Sequence, residues 1–176
     1  EPGCRNLPIE VIETKAPLLI DSYGLRQDSG GPGEHRGGLG TSRKYRFLAE
    51  STVVTLVKKT KTKPWGMAGG SDGENCHVIL WPGSDREQVT GMSYETMASG
   101  DVLINCAGGG GGWGDPLKRD LQTVLDDVRD ERVSINSARE HYGVVIDAAT
   151  MTVDSAATAM LRREARQSPL PSLGEG

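Results

Sequence analysis

Apolar and polar residues alternate over 8–14 (P-I-E-V-I-E-T), the mark of a strand with one buried face. A second strand is predicted over 18–25. Further strands are predicted over 44–48, 52–57 (T-V-V-T-L-V), 77–81 (H-V-I-L-W) and 102–105, where β-branched and aromatic residues concentrate. Gly, Pro, Asp or Ser residues bound each run. Many short strands punctuated in this way predict a mainly antiparallel β architecture, sandwich- or barrel-like. No helical stretches alternate with them, which disfavours a parallel doubly wound sheet.

Near residue 115 glycine nearly vanishes and the period lengthens. Asp115-Pro116 is a helix-start signal, an N-cap followed by proline at the first helical position. Leu117, Leu121, Val124, Leu125 and Val128 then fall on one face of a helix. Ser134 is placed to cap a second helix over 135–142, which Gly143 closes. A short extended run follows over 144–146. Asp154 is placed to cap a third helix from Ser155 to about Arg166. The expected fold class is therefore α+β. A β-rich, glycine-punctuated domain covers 1–114, short helices fill 115–167, and a flexible tail covers 168–176.

Composition sharpens this picture. The chain has 176 residues with Gly 24, Pro 9, 36% hydrophobic residues and 5% aromatic residues, including a single Phe. Such a chain has a modest core and many turns. No apolar run approaches the length of a transmembrane helix, so no membrane span is expected. The formal net charge is −4, which argues against nucleic-acid binding. The basic run Lys58, Lys59, Lys61 and Lys63 has no interleaved aromatic and reads as a solvated strand end or loop. Cys4, Cys76 and Cys106 are odd in number and widely spaced, unlike a disulfide framework or a zinc site. A reducing, cytoplasmic setting fits them best. The first residue is Glu1 rather than Met, so a processed end or an excerpt of a longer chain is expected.

Candidate chemistry is sparse. Five glycines over 108–112 lead into Trp113-Gly114-Asp115-Pro116. Gly110, Gly111 and Gly112 are weak anion-binding candidates, because backbone N–H groups before a helix favour anions. The preferred reading is structural: another backbone passes too close to admit a Cβ. A second glycine cluster over 28–40 holds His35 and Arg36, weak catalytic candidates for anion binding or proton transfer. Solvent exposure or an interface role is the preferred reading of His35. His35, His77 and His141 lie in unrelated segments, so no metal site is expected. Asp126, Asp127, Asp130 and Glu131 read as a solvated helical face. Ser29 and Cys106 have no base nearby in sequence. Trp65, between prolines and glycines, reads as a core or interface anchor.

Five stretches together resemble the hydantoinase B/5-oxoprolinase family. They are R-N-L-P-I-E-V-I-E over 5–13, D-S-G-G-P-G-E-H-R-G-G-L-G over 28–40, P-W-G-M-A-G-G over 64–70, G-G-G-G-W-G-D-P over 109–116, and D-V-R-D-E-R-V-S with Y-G-V-V-I over 142–146. The resemblance implies a B-type subunit that works with a hydantoinase A type partner on a small-molecule substrate. That partner binds ATP with Mg and phosphorylates an amide or enol oxygen. Hydrolytic members open hydantoins, 5-oxoproline or lactams, whereas acetone and acetophenone carboxylases carboxylate ketones. The family's B-type subunits are several times longer, and by resemblance their divalent-metal site lies in an N-terminal portion outside this chain. The expectation is a C-terminal segment of a cyclic-amide hydrolase, which binds no cofactor and carries no catalytic residue of its own. It would pack on the N-terminal part and on the A-type partner. A ketone carboxylase segment and a non-catalytic interaction module are the alternatives. The apolar face from Leu117 to Val128 separates an enzyme segment from a free-standing binding or scaffold module: if it covers the β core the module stands alone, and if it is exposed a partner is required.

Overall fold

The computed structural model describes residues 6–167. Five antiparallel strands form one open sheet: β1 (Leu18–Leu25), β2 (Thr41–Phe47), β4 (His77–Leu80), β5 (Gln88–Thr90) and β7 (Val102–Cys106), in the order β1-β2-β7-β4-β5. A second pair, β3 (Ser51–Leu56) and β6 (Met92–Met97), makes a separate two-stranded ribbon. The α+β expectation holds, and the sheets stay open rather than closing into a barrel.

One long hairpin links the two layers. Arg46 opposes Val102 in the sheet, and Ser51 opposes Met97 in the ribbon. Both arms advance five residues between these pairs, so the register runs unbroken through a corner. Asp101 fixes that corner. Its carboxylate accepts from the Ala98 amide (2.9 Å), Trp81 Nε1 (2.8 Å) and Arg86 (3.1 Å). The bend lays the ribbon on the inner face of the sheet. There Phe47, Val78, Leu80 and Leu103 pack with Met97, against Tyr45, Val53, Val57 and Trp81.

The strand expected over 8–14 is instead a helix, α1 (Ile9–Lys15). The alternation fails at Val11-Ile12, and the Pro8 carbonyl accepts from both of their amides (3.1 and 3.2 Å). Glu10 in the first turn and Lys15 in the last suit the helix dipole.

The glycine clusters form a bundle of extended segments. A Cβ at Gly109 would strike the Ser29 carbonyl, and one at Gly112 the Pro32 carbonyl, both on one neighbouring segment. Gly110 faces Gly37 and Gly38, and Gly111 faces the Trp65 carbonyl. The same three-residue repeat recurs elsewhere: Gly37 and Gly40 both face 107–111, and Gly70 and Gly73 both face 109–113. A backbone with three residues per turn has three faces. Here each face of the central 109–112 run meets another backbone, which leaves no room for a Cβ at Gly109, Gly111 or Gly112 and little at Gly110. Cross-bonds close the weave, including Gly31 N to Gly110 O (2.8 Å), Gly110 N to Gly38 O (2.8 Å), Met67 N to Gly112 O (2.9 Å) and Gly112 N to Ser71 O (2.9 Å).

The helix expected to run on from Asp115 breaks. Asp115 caps only a 3₁₀ turn (Pro116–Lys118), accepting from Leu117 N at 2.9 Å. Arg119 is extended, and Asp120 caps a new helix, α2 (Leu121–Arg129). Two capping aspartates five residues apart leave the chain to turn between them, and the Arg119 side chain is drawn to Glu34 O and Asp127. Helices α3 (Ile135–Tyr142) and α4 (Ser155–Gln167) follow as expected. Ser134 Oγ accepts from Ser137 N, Gly143 adopts the left-handed conformation, and Asp154 accepts from Ala157 N. Between the last two helices lies a small ladder of β8 (Ile146–Asp147) and β9 (Thr152–Val153). Val124, Leu125 and Val128 of α2 bury against Val133, Ala138, Tyr142, Val144 and Ile146. The apolar face therefore neither covers the β core nor lies bare: the helices build a second core of their own. The tail expected over 168–176 lies outside the described residues. Among the described residues no helix is long and apolar enough to cross a membrane.

Candidate functional site: an aromatic platform on the glycine bundle

His35 and Trp113 are locked together by reciprocal backbone bonds, His35 N to Trp113 O and Trp113 N to His35 O, both 2.9 Å. Their rings lie 5.4 Å apart, tilted by 40°. Met67 bridges to the other side of Trp113, and the Gly114 amide donates to the Met67 carbonyl (3.0 Å). Trp65 stands two residues before Met67. Trp65 is 75% exposed, Met67 60% and Trp113 50%, while His35 is also exposed. Three distant segments thus bring two indoles, an imidazole and a thioether to one rigid end of the bundle. Trp65 is not a core residue of this chain: its carbonyl abuts Gly111 while its ring faces outward. The platform can stack a flat or apolar group.

Arg36 points the opposite way. Its guanidinium donates to both oxygens of Asp127 (3.2 Å each). Arg119 Nη2 donates to Asp127 Oδ2 (2.8 Å), and Arg132 approaches Oδ1 at 3.6 Å. Asp127 is buried, contrary to the expected solvated face. It lies one turn beyond Val124 and beside Val128 on the apolar stripe, a positional signal that grouping the acidic residues by charge alone conceals. Burial pushes the Asp127 carboxyl up, but hydrogen bonds and charge from Arg36 and Arg119 outweigh it and hold it below the usual carboxylate range. Arg119 also donates to the Glu34 carbonyl (2.9 Å), beside His35. The ion cluster thus clamps the segment that carries the platform. Tyr142 lies in the same core, and burial raises its phenol to about 12.

The remaining candidates lie within the fold. Gly110 and Gly112 commit their N–H groups to Gly38 and Ser71 carbonyls. Ser29 is fully buried, bonding the Arg26 carbonyl and the Gly40 amide. The Cys76 thiol accepts from Gly108 N (3.1 Å), and Cys106 is buried. Burial, and then Arg26, lowers the His77 pKa. Among the described residues no group of three or more His, Cys, Asp or Glu is placed to hold a metal ion.

Comparison with known proteins gives this arrangement its context. The chain is 39% identical over 160 residues to the caprolactamase beta polypeptide of Pseudomonas jessenii, which covers 85% of this chain and 27% of that protein. It is 34% identical over 145 residues to a candidate D-/L-hydantoinase polypeptide of the B type from a Pseudomonas strain, covering 81% and 24%. The crystal structure of the ATP-dependent caprolactamase from Pseudomonas jessenii superposes with a TM-score of 0.77 at 39% identity, over 89% of this chain and 28% of that one. A nucleotide-free acetone carboxylase superposes with a TM-score of 0.83 at 24% identity, over 97% and 28%, a likeness of fold alone. The chain thus spans about a quarter of the length of these relatives. The sequence profile of hydantoinase B/oxoprolinase matches residues 1–116, and the chain belongs to that family.

Proposed function

We propose that this chain forms the C-terminal, glycine-woven section of a B-type subunit in a cytoplasmic, ATP-dependent complex that opens cyclic amides. The observation that carries the reading is the agreement of sequence and fold with one enzyme: 39% identity to the caprolactamase beta polypeptide, and a TM-score of 0.77 to the ATP-dependent caprolactamase. An A-type partner binds ATP with Mg and phosphorylates the amide oxygen. An amide oxygen leaves poorly until it carries phosphate, and the added charge must be met by cations or N–H donors. The divalent metal and the nucleotide belong to the other polypeptide sections. This section, with its β-rich part over 1–114 and its helices over 115–167, supplies a stiff scaffold. Its platform of Trp65, Met67, Trp113 and His35 meets the substrate-bearing part or the A-type partner.

The test is reconstitution of the B-type subunit containing this chain with an A-type partner. Caprolactam, hydantoin and 5-oxoproline are each supplied with ATP, and acetone with bicarbonate serves as the counter-substrate. Ring opening that requires both polypeptides and ATP is the expected result. ATP-dependent carboxylation without ring opening would refute the reading, as would ring opening by this chain alone.

A further inference from the structure

A groove of about 630 Å³ runs beside β3 above the sheet, floored by Tyr45, Phe47, Val78 and Leu103. Every residue over 51–57 lines it, and no residue of β6 does. In a strand, alternate side chains point to opposite faces. A groove touched by consecutive residues therefore follows the strand's edge. Among the described residues β3 pairs only with β6, which leaves that edge open. Val57 N donates to Gly91 O, and the same register makes Thr55–Ser93 and Val53–Glu95 the hydrogen-bonded pairs. The amides and carbonyls of Thr52, Val54 and Leu56 accordingly face the groove.

At Tyr45 and Asn105 the groove adjoins a polar pocket of about 160 Å³ that holds Arg43. Arg43 stacks 4.1 Å over the Tyr23 ring, and its Nη1 reaches Tyr45 Oη at 3.4 Å. Its Nε is buried without a hydrogen-bond partner. Among the described residues no carboxylate pairs with it, although nine other Lys or Arg side chains, Arg36 and Arg119 among them, do form ion pairs. A half-buried guanidinium that no described carboxylate neutralises suits an oxyanion.

We propose that the β3 edge is a strand-acceptor site, filled by an extended segment from the rest of the B-type subunit that brings an acidic side chain to Arg43. Three features select this occupant. Backbone donors and acceptors repeating every second residue match only another extended backbone. The floor is apolar, so alternate guest side chains bury on Tyr45, Phe47 and Leu103. The chain spans about a quarter of its relatives, leaving three-quarters of the polypeptide to pack against it. The guest would widen the two-stranded ribbon into a fuller second layer. This inference rests on the B-type reading above.

Residue-resolved amide hydrogen exchange tests it, on the 176-residue chain alone and on the complete B-type subunit containing it. Thr52, Val54 and Leu56 amides should slow by about 100-fold or more in the complete polypeptide, while Val53 and Thr55 are slow in both. Arg43→Gln should return about tenfold of that protection and Arg43→Lys less. Equal exchange of the three amides in both samples overturns the proposal. So does protection in the lone chain that grows with its own concentration, which assigns the edge to a second copy. Protection of the lone chain by added hexanoate also overturns it, assigning the groove to a free carboxylate. Ring-opening activity is scored separately: an unprotected edge in an active sample removes only the strand site, whereas a protected edge in an inactive one removes only the activity.

Discussion

Replacing Gly111 with alanine is the sharpest test of the glycine bundle. Its Cβ would land on the Trp65 carbonyl oxygen and lie 2.5 Å from the carbonyl carbon. Ordinary carbon–carbon contact is about 3.5–4.0 Å, so one backbone must retreat by about 1 Å or more. Neither is free to do so. The next glycine is pinned through Gly112 N to Ser71 O, and Met67, two residues past Trp65, bonds back to Gly112 O. Overpacking a well-filled site costs about 1–3 kcal/mol and occasionally more. Each neighbouring backbone bond lost adds about 1 kcal/mol. We expect Gly111→Ala to cost about 3 kcal/mol or more, lowering Tm by about 6–12 °C for a chain of this size. Gly38 is the internal control, since it belongs to the same motif but a Cβ there meets nothing within 4 Å. Gly38→Ala should be neutral or stabilise by about 0.4–1 kcal/mol, through a less flexible unfolded chain. Thermal and urea unfolding followed by far-ultraviolet circular dichroism measures both. Equal shifts in the two variants, or a fall below about 2 °C for Gly111→Ala, would refute close backbone contact as the reason for glycine.

Asp127→Asn leaves the half-buried Arg36 and Arg119 with a neutral partner and should cost about 3 kcal/mol at neutral pH, read by urea unfolding. The Asp127 pKa is held below its ordinary value of 3.8. Its contribution is therefore full above that value and lost as the pH falls through the depressed folded-state pKa, so the gap between wild type and variant should close only in strong acid. Tyr142→Phe removes a buried hydroxyl that has no partner among the described residues. It should be neutral or slightly stabilising, whereas Tyr142→Ala costs about 3–5 kcal/mol; marked destabilisation by the Phe variant would reveal an unrecognised bond. Trp113→Ala and Trp65→Ala expose little new core and should move stability by about 1 kcal/mol or less. In the reconstituted complex they should lower ATP-dependent ring opening or the affinity between the two polypeptides severalfold, and unchanged values of both would remove the platform from function.

The sheet was legible in sequence where β-branched residues cluster, as in β3 and β4, because those residues suit a pleated, half-buried surface. Strand β6 escaped notice because its pattern is inverted: Met92 and Tyr94 face outward while Ser93 and Glu95 face in. The caps at Ser134, Gly143 and Asp154 could be read directly, since capping is local chemistry. The break at Arg119 could not, because it depends on Asp127 and Glu34, both distant in sequence or across the fold. The same limit governs the site. Glycines excluding a Cβ are a recognisable pattern, but the meeting of His35, Met67 and Trp113 is made by the weave and has no periodicity to betray it.

A bundle of glycines buries no side chains, so the hydrophobic effect contributes little to it directly. Each backbone hydrogen bond adds only about 0.5–1.5 kcal/mol, against the large ordering entropy of glycine. The weave must therefore be held from outside. Arg26 does this on the sheet side, donating to the Asn75 and Ala107 carbonyls (2.9 and 3.1 Å). The helical unit does it on the other, through Asp28 to Ser134 N and through Arg36, Asp127, Arg119 and the Glu34 carbonyl. Glu34 is the residue before His35, so the helical clamp ends at the aromatic platform. The helices thus hold the 34–36 segment, next to the platform, through Asp127 and Arg119. The side chains of Trp65, Met67 and Trp113 at that end, and of Val54, Leu56, Met92 and Tyr94 on the ribbon, are large, apolar and exposed. Under the B-type proposal these are the surfaces that would meet the rest of the subunit.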